Sequence, residues 1–421
     1  MARDRRPRPD RRWRIPPVPA HASHSFAGAV VLDELSGPPG FALWQAFRDV
    51  QLWSLAPPKE RPQLFAPGAA AARSVALDDP ELRAPLRVLL GMVERPTTTR
   101  VEEVAGACAA LSRWAEARGA TATALAFAEA AAGASPDDAS LAFAAGRLAR
   151  RRVEYGRAET WFLRAAGLGR RSGEWEPYAL AWVGMGKLQI QRGSLGRARK
   201  SLLRALRIAR RVRMREIEGM ALHNLCLVEM EVGDLTAAEA WAQEVYRVYG
   251  PGHGELARVA HDLALVWTLQ GCFSRAQAVF RALLPHFSHR PDRLYVLANM
   301  VRAAGGAGDR TGFHEYWSAA WALVESLGAQ EGLARALLDL ARGAATLGYA
   351  DLAEGAARRS LEVAAGSDEA KARIEAEALL HSLRSGTERT SGAPVAPAAE
   401  SVEADALAAE IIAGLNASAA P

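Results

Sequence analysis

Histidine pairs are the side chains in this sequence most suited to metal chemistry, because imidazole is a common metal ligand. Two pairs lie close together along the chain, His253 with His261 and His286 with His289. Prolines flank the second pair, which predicts an exposed loop there. The nine histidines are otherwise scattered. We therefore interpret these histidines as surface residues and predict no metal site.

Nucleophilic and cofactor-binding motifs are missing from the sequence. It has no GxSxG, no HExxH, no phosphate-binding glycine loop and no GxGxxG after a predicted strand. Its three cysteines lie far apart and form no CxxC pair: Cys108, Cys226 and Cys272. We therefore predict no disulfide framework and no zinc site, and this cysteine usage is typical of a reducing cytosol. The expectation is a cytoplasmic protein that is not an enzyme and has no cofactor.

Arginine and lysine remain as the side chains able to recognise a partner. The net charge of +5 is small, so their distribution is more informative. Ten of the 24 residues from Arg192 to Arg215 are Lys or Arg and none is acidic. On a helix, five of them would form one stripe: Arg197, Lys200, Arg204, Arg207 and Arg211. The stripe is either a solvated face or a site for an acidic partner or nucleic acid, and few aromatic residues are interleaved for base stacking.

Helices are the elements predicted to position these side chains. Half of the residues are hydrophobic and 24% are charged, and the alternation typical of strands is nearly absent. No apolar run approaches the ~18 residues that a membrane span needs. Prolines follow the Arg-rich N-terminus where a signal peptide would have an apolar helix. We predict neither a membrane segment nor a secretion signal.

A repeat of helical hairpins occupies the middle of the chain. Its clearest copy reads Trp182-x2-Met185-Gly186-x2-Gln189, followed by Gly193-Ser194-Leu195 and Ala198-x3-Leu202. This copy resembles the W-x2-L-G-x2-Y and A-x3-F pattern of the tetratricopeptide repeat family. Similar turns recur every 34 to 40 residues, anchored at Gly119, Val153, Gly193, Gly233, Gly271, Gly308 and Gly348.

The resemblance implies an all-α fold, a right-handed α-solenoid of stacked antiparallel helix pairs. We expect five regions: a disordered basic, Pro-rich tail (1–25), a helical N-terminal cap (26–97), about seven repeats (98–366), a C-terminal capping helix (367–385) and a flexible tail with a short acidic amphipathic helix (386–421). An alternative for residues 26–97 is a module that docks a second partner or a second copy.

The resemblance also implies a concave groove lined by the first helix of each pair. It places in that groove Arg113, Arg147, Lys187, His223, Asn224, Arg258, His261, Asn299, Arg302, Arg335 and Arg342. Asn224 with Arg258, and Asn299 with Arg335, resemble part of the carboxylate clamp of chaperone-binding members. The rest of the clamp is not matched, since Asp262 stands where a base is needed. The alternative is a solvated surface that happens to be basic.

These features predict a scaffold or adaptor that binds an extended, acidic segment of another protein. Two alternatives stay open: a regulatory sensor that responds to a peptide or small ligand, and nucleic-acid binding through the basic stripe. The acidic helix near residues 400–416 either occludes the groove or stays disordered.

Overall fold

The computed structural model describes residues 15–19, 27–73, 79–327, 332–367, 370–385 and 402–419. The regular structure in these ranges is helical, without a strand. The chain divides into two compact units, 1–224 and 225–421. The division falls within helix α11 (Arg215–Val232). None of the described helices combines the length and apolarity that crossing a membrane would require.

Unit 1 begins with four helices that precede the repeats: α1 (Ala27–Glu34), α2 (Gly37–Leu55), α3 (Ala69–Arg73) and α4 (Pro80–Glu94). A short 3₁₀ turn at Arg61–Gln63 joins the second to the third. The ring of Phe47 on α2 packs edge-on against Phe127 of the first hairpin, with 5.7 Å between centroids. Three of these helices pack against the first hairpin, α1 and α2 on α6 and α4 on α5.

Three helical hairpins follow in unit 1: α5 (Val101–Ala117) with α6 (Thr121–Ala134), α7 (Ala139–Arg151) with α8 (Tyr155–Ser172), and α9 (Trp175–Gln191) with α10 (Leu195–Val212). Small residues let their helices approach closely. A Cβ on Gly184 would lie 2.5 Å from the ring of Phe162, and one on Gly146 would lie 2.8 Å from it. The glycines thus make room for one buried aromatic ring between successive repeats.

Unit 2 continues the same pattern with α12 (Leu235–Tyr249), α13 (Leu256–Leu269), α14 (Phe273–Leu283), α15 (Arg290–Ala307), α16 (Arg310–Ser326), α17 (Leu333–Thr346), α18 (Ala350–Ser367) and α19 (Ala370–Ser385). A 3₁₀ turn at Leu284–His286 follows α14. The last helix, α20 (Val402–Ala419), packs on α14 and α13. Successive first helices contact each other, α13 with α15, α15 with α17 and α17 with α19.

The seven predicted turn positions all adopt the left-handed backbone conformation, with φ between 64° and 87°. This confirms the frame of the repeat and, with the helical hairpins, the all-α solenoid fold. Six of the seven are glycines, which adopt this conformation without a steric penalty. The seventh is Val153, a β-branched residue for which it costs about 1–2 kcal/mol.

The N-terminal prediction needs a correction. Residues 15–19 lie within the segment predicted to be disordered, yet Ile15 and Val18 are partly buried against the core of unit 1. A polar contact from α8 also holds this segment, as Arg164 donates a hydrogen bond to the carbonyl oxygen of Pro16. The rest of residues 1–25 lies outside the described residues.

Candidate functional site

The predicted groove residues of unit 1 include one strong ion pair. Arg147 on α7 donates two hydrogen bonds to Glu116 on α5, at 2.5 Å and 2.6 Å. Arg151 pairs with the same carboxylate. The hydrogen bond from Arg147 is the main reason that the pKa of Glu116 lies below its usual value. Arg113 on α5 is exposed. The positive charge of Arg147 is therefore balanced by the carboxylate of Glu116 in the preceding hairpin.

Three further predicted residues of unit 1 lie on α9 and α11. Lys187 and His223 are half-buried. Asn224 is buried, and its Nδ2 donates a 2.6 Å hydrogen bond to the carbonyl oxygen of Met220 in its own helix. The amide of Asn224 thus uses one of its donors on the main chain of its own helix.

Three predicted arginines of unit 2 meet around two carboxylates, and we call this group the inner-row cluster: Arg302, Arg335, Arg342, Asp339 and Glu375. The Asp339 carboxylate lies 3.0 Å from Arg302, 3.3 Å from Arg335 and 3.5 Å from Arg342. Glu375 on α19 lies 3.3 Å from Arg335 and 3.0 Å from Arg342. The cluster therefore links α15, α17 and α19 through charged side chains.

Two glycines bring the first helices close enough for this cluster. A Cβ on Gly343 would lie 2.6 Å from the carbonyl oxygen of Val301, and one on Gly305 would lie 2.4 Å from that of Gly343. Arg302 and Asp339 lie about one turn before these glycines on α15 and α17. The close crossing of the two backbones thus places the arginine against the carboxylate.

Burial and pairing act in opposite directions on the cluster. Burial lowers the pKa of Arg302, although Asp339 opposes this shift. Burial would also lower the pKa of Arg335, but Asp339 and Glu375 stabilise its charge and leave its pKa above the usual value. The carboxylates of Asp339 and Glu375 therefore hold the three guanidinium groups in fixed positions.

Two of the predicted clamp residues of unit 2, Asn299 and Arg258, contact different side chains. Asn299 is buried, and its Nδ2 lies 3.1 Å from Nε2 of His261. Nδ1 of His261 lies 3.1 Å from the Asp262 carboxylate, so the ring lies between this carboxylate and the amide of Asn299. Among the described residues Oδ1 of Asn299 has no hydrogen-bond partner. Arg258 is exposed and pairs with Glu255 at 2.8 Å.

The basic stripe on α10 differs from the inner-row cluster. Arg197, Lys200, Arg207 and Arg211 are exposed, and within the described part of the chain none of these four forms an ion pair. Arg204 is anchored instead: its Nε donates to the Tyr178 hydroxyl at 2.8 Å, and its guanidinium lies 4.3 Å from the centre of the Trp182 ring. The stripe thus presents four unneutralised cations to solvent.

The acidic C-terminal helix forms, and it packs against α14 and α13. Ile411 of α20 is fully buried, and Asp405 lies 2.7 Å from Arg275 on α14. Burial, and next the nearby Glu410, raise the pKa of Tyr246 on α12 to about 12. These contacts lie on α12, α13 and α14, and none of them involves a predicted groove residue. The polar contacts of this helix with Arg275 and Tyr246 thus lie outside the predicted groove residues, and occlusion of the groove stays a prediction.

The carboxylates that neutralise the arginines were not predicted from the sequence. Asp339 carries a local signal, because it lies four residues after Arg335 and three before Arg342 on one helix. Glu116 and Glu375 contact arginines 31 and 33 residues away, and no spacing rule identifies such pairs. The described residues contain no group of three or more His, Cys, Asp or Glu side chains placed to hold a metal ion.

Comparison of the sequence with known protein families and with curated proteins finds no match. Solved structures do show a similar fold. The apo form of RapI is 14% identical with a TM-score of 0.53, over 63% of this chain and 99% of that one. The Rap conjugation gene regulator of plasmid pLS20, solved with the Phr* peptide, is 13% identical with a TM-score of 0.46, over 87% and 98% of the two chains. PilF of Pseudomonas aeruginosa is 17% identical with a TM-score of 0.43, over 54% and 95%.

Proposed function

We propose that this tetratricopeptide-like helical repeat protein is a non-catalytic interaction scaffold, and that the inner-row cluster binds an extended, acidic segment of a partner protein. The observation that supports this most is the charge balance of the cluster. Three arginines share two carboxylates, which leaves one positive charge among partly buried side chains. A carboxylate of the partner would complete that balance.

Access to the cluster comes from the side of α17. The side chains of Arg335 and Arg342 keep 37% and 29% of their surface exposed, whereas Asp339 keeps 7%. The buried carboxylate holds the arginines from beneath, and their outer N–H groups remain within reach of a ligand. Because the guanidinium groups are already fixed in place, little side-chain entropy is lost when a partner carboxylate binds.

Glu375 is the internal competitor for the same arginines. It contacts both Arg335 and Arg342 and has 25% of its side chain exposed. A partner carboxylate must therefore displace Glu375 or share the two arginines with it. The consequence is a modest affinity per contact, so that binding of a partner depends on several residues of an extended segment and not on a single charge.

A peptide array tests this proposal with charge reversal. Acidic, neutral and basic extended peptides are applied to the wild type and to the Arg335→Glu, Arg342→Glu double variant. We expect the wild type to bind acidic peptides and the variant to lose them. The matched control is Arg358→Glu with Arg359→Glu on α18, two exposed arginines that also pair within their helix.

The Glu375→Gln variant makes the test sharper. Removing the competitor should strengthen binding of acidic peptides roughly 2- to 5-fold, which corresponds to about 0.5–1 kcal/mol for a partly exposed pair. Binding that survives the double reversal on α17, or that is lost equally in the α18 control, contradicts a site at the inner-row cluster.

The stripe on α10 supports polyanion or nucleic-acid binding as a second candidate function. Its four exposed cations have no carboxylate to displace when they contact phosphates, whereas the arginines of the inner-row cluster already pair with Asp339 and Glu375. Phosphate contacts release counterions, so this candidate requires an affinity that falls steeply with salt concentration.

A further inference from the structure

Residues 15–19 have the sequence Ile-Pro-Pro-Val-Pro, which restricts their backbone before any tertiary contact forms. Proline fixes its own φ near −65°, and a residue that precedes proline avoids the helical region. Such a segment favours the polyproline II conformation, with three residues per turn. Ile15 and Val18 are then on one face, and both are partly buried against the core of unit 1.

The surface beneath Ile15 has a recess made by a missing side chain. Gly167 lies in the interior of α8, where glycine is less favourable than alanine. A Cβ on Gly167 would lie 2.9 Å from Cγ1 of Ile15, too close for an ordinary contact. The glycine therefore makes the space that the isoleucine side chain occupies.

A buried arginine provides the polar part of this surface. Arg164, one turn before Gly167, is 8% exposed and donates from Nη1 to the carbonyl oxygen of Pro16 at 2.6 Å. Its Nη2 donates to the carbonyl oxygen of Pro136. Proline has no N–H, so its carbonyl oxygens are the main-chain groups that a binding surface can recognise. The arginine fork is well suited to a proline-rich chain that offers acceptors alone.

We propose that this face of α8 is a binding site for proline-rich segments with the pattern apolar-Pro-Pro-apolar-Pro. Residues 15–19 fill the site within the chain, and a segment of the same pattern on a partner protein fills it when they leave. Two half-buried apolar side chains and one hydrogen bond form a small contact. Occupancy by the chain's own segment therefore depends on tethering, which gives it a high effective concentration.

The test uses the full chain with Ile15→Asp and Val18→Asp, two substitutions that weaken the docking of residues 15–19. We call this double substitution the released variant. The probe is a fluorescent synthetic peptide of residues 13–21, followed by fluorescence anisotropy. We expect the released variant to bind the peptide at least 10-fold more tightly than the wild type, whose site is occupied. A peptide with both Pro16 and Pro17 replaced by Gly should bind at least 10-fold more weakly, because it loses the fixed backbone.

Gly167→Leu in the released variant fills the recess and should abolish peptide binding. Leucine is a good helix former, so α8 is expected to keep its structure, and circular dichroism checks this. Gly167→Ala is a second, smaller change that should weaken binding if the leucine variant does not fold. Peptide binding that is absent from the released variant, or that is unaffected by both substitutions at Gly167, overturns the proposal.

Discussion

The inner-row cluster of unit 2 and the stripe on α10 of unit 1 are both rich in arginine, but only one has internal counter-charges. Arg302, Arg335 and Arg342 each lie within 3.5 Å of Asp339. The four exposed cations of the stripe have no such partner within the described residues. The difference shows that a basic sequence and an available positive charge are separate properties. What decides between them is whether a carboxylate of the same or an adjacent helix lies within reach of the arginines.

The two regions should therefore differ in what they contribute to folding. The cluster joins three successive first helices through partly buried ion pairs, and a buried carboxylate that loses its charge leaves its partners uncompensated. The stripe lies in water, where exposed charges contribute little to stability.

The largest effect is expected at the centre of the cluster. Asp339→Asn removes the buried charge that compensates the half-buried Arg302, so we expect a loss of up to about 3 kcal/mol in unfolding free energy. Chemical denaturation followed by circular dichroism measures it. Glu362→Gln is the control, because Glu362 forms an exposed pair with Arg359 and should cost no more than about 0.5 kcal/mol. Equal losses in both variants would remove the distinction between buried and exposed pairs.

An intermediate effect is expected from acid titration of Glu116. Its pKa is lowered in the folded state, chiefly by the hydrogen bond from Arg147. A lowered carboxyl pKa contributes stability above the usual value of 4.5 and loses it as the pH falls through the folded value. The wild type should be more stable than Glu116→Gln at pH 7, and the gap should narrow below about pH 4.5. Curves that stay parallel down to pH 3 would contradict the ion pair, whereas Arg207→Gln on the stripe should give parallel curves.

The smallest effect on stability is expected at the stripe. Replacing Arg197, Lys200, Arg207 and Arg211 by Gln should change the unfolding free energy by no more than about 0.5 kcal/mol per site. Affinity for single-stranded DNA or heparin, if present in the wild type, should fall. The slope of log affinity against log salt should decrease in magnitude by roughly 3, since each of the four phosphate contacts contributes about 0.7 to 0.9. An unchanged slope would remove the stripe as a polyanion site.

The fold could be predicted because its determinants repeat. A left-handed turn between two helices favours glycine. The seven turn positions recur at a nearly regular spacing, and six of them are glycines. At Val153 the regular spacing of the turns predicted the position, because valine by itself does not indicate a left-handed turn. Small residues at helix contacts, such as Gly184, add a second repeating signal.

For the candidate site, the sequence predicted which helices carry the arginines but not which carboxylates pair with them. The predicted arginines do lie on successive first helices, but their partners are set by how closely those helices cross. The contact of Gly305 with Gly343 decides that distance, and its effect on Arg302 is visible only in three dimensions. The docking of residues 15–19 was missed for the same reason. Composition predicts that a proline-rich segment lacks internal hydrogen bonds, but not that Gly167 leaves a recess for it.

The position of α20 has a consequence for the order in which the chain is made. Its docking surface on α14 ends at Leu283, and α20 begins at Val402, so roughly 120 residues separate the two. At a synthesis rate of about 5–20 residues per second, the surface leaves the ribosome roughly 6 to 24 seconds before the helix that covers it. During that interval an apolar surface with the positive charge of Arg275 is open to chaperones and to other nascent chains.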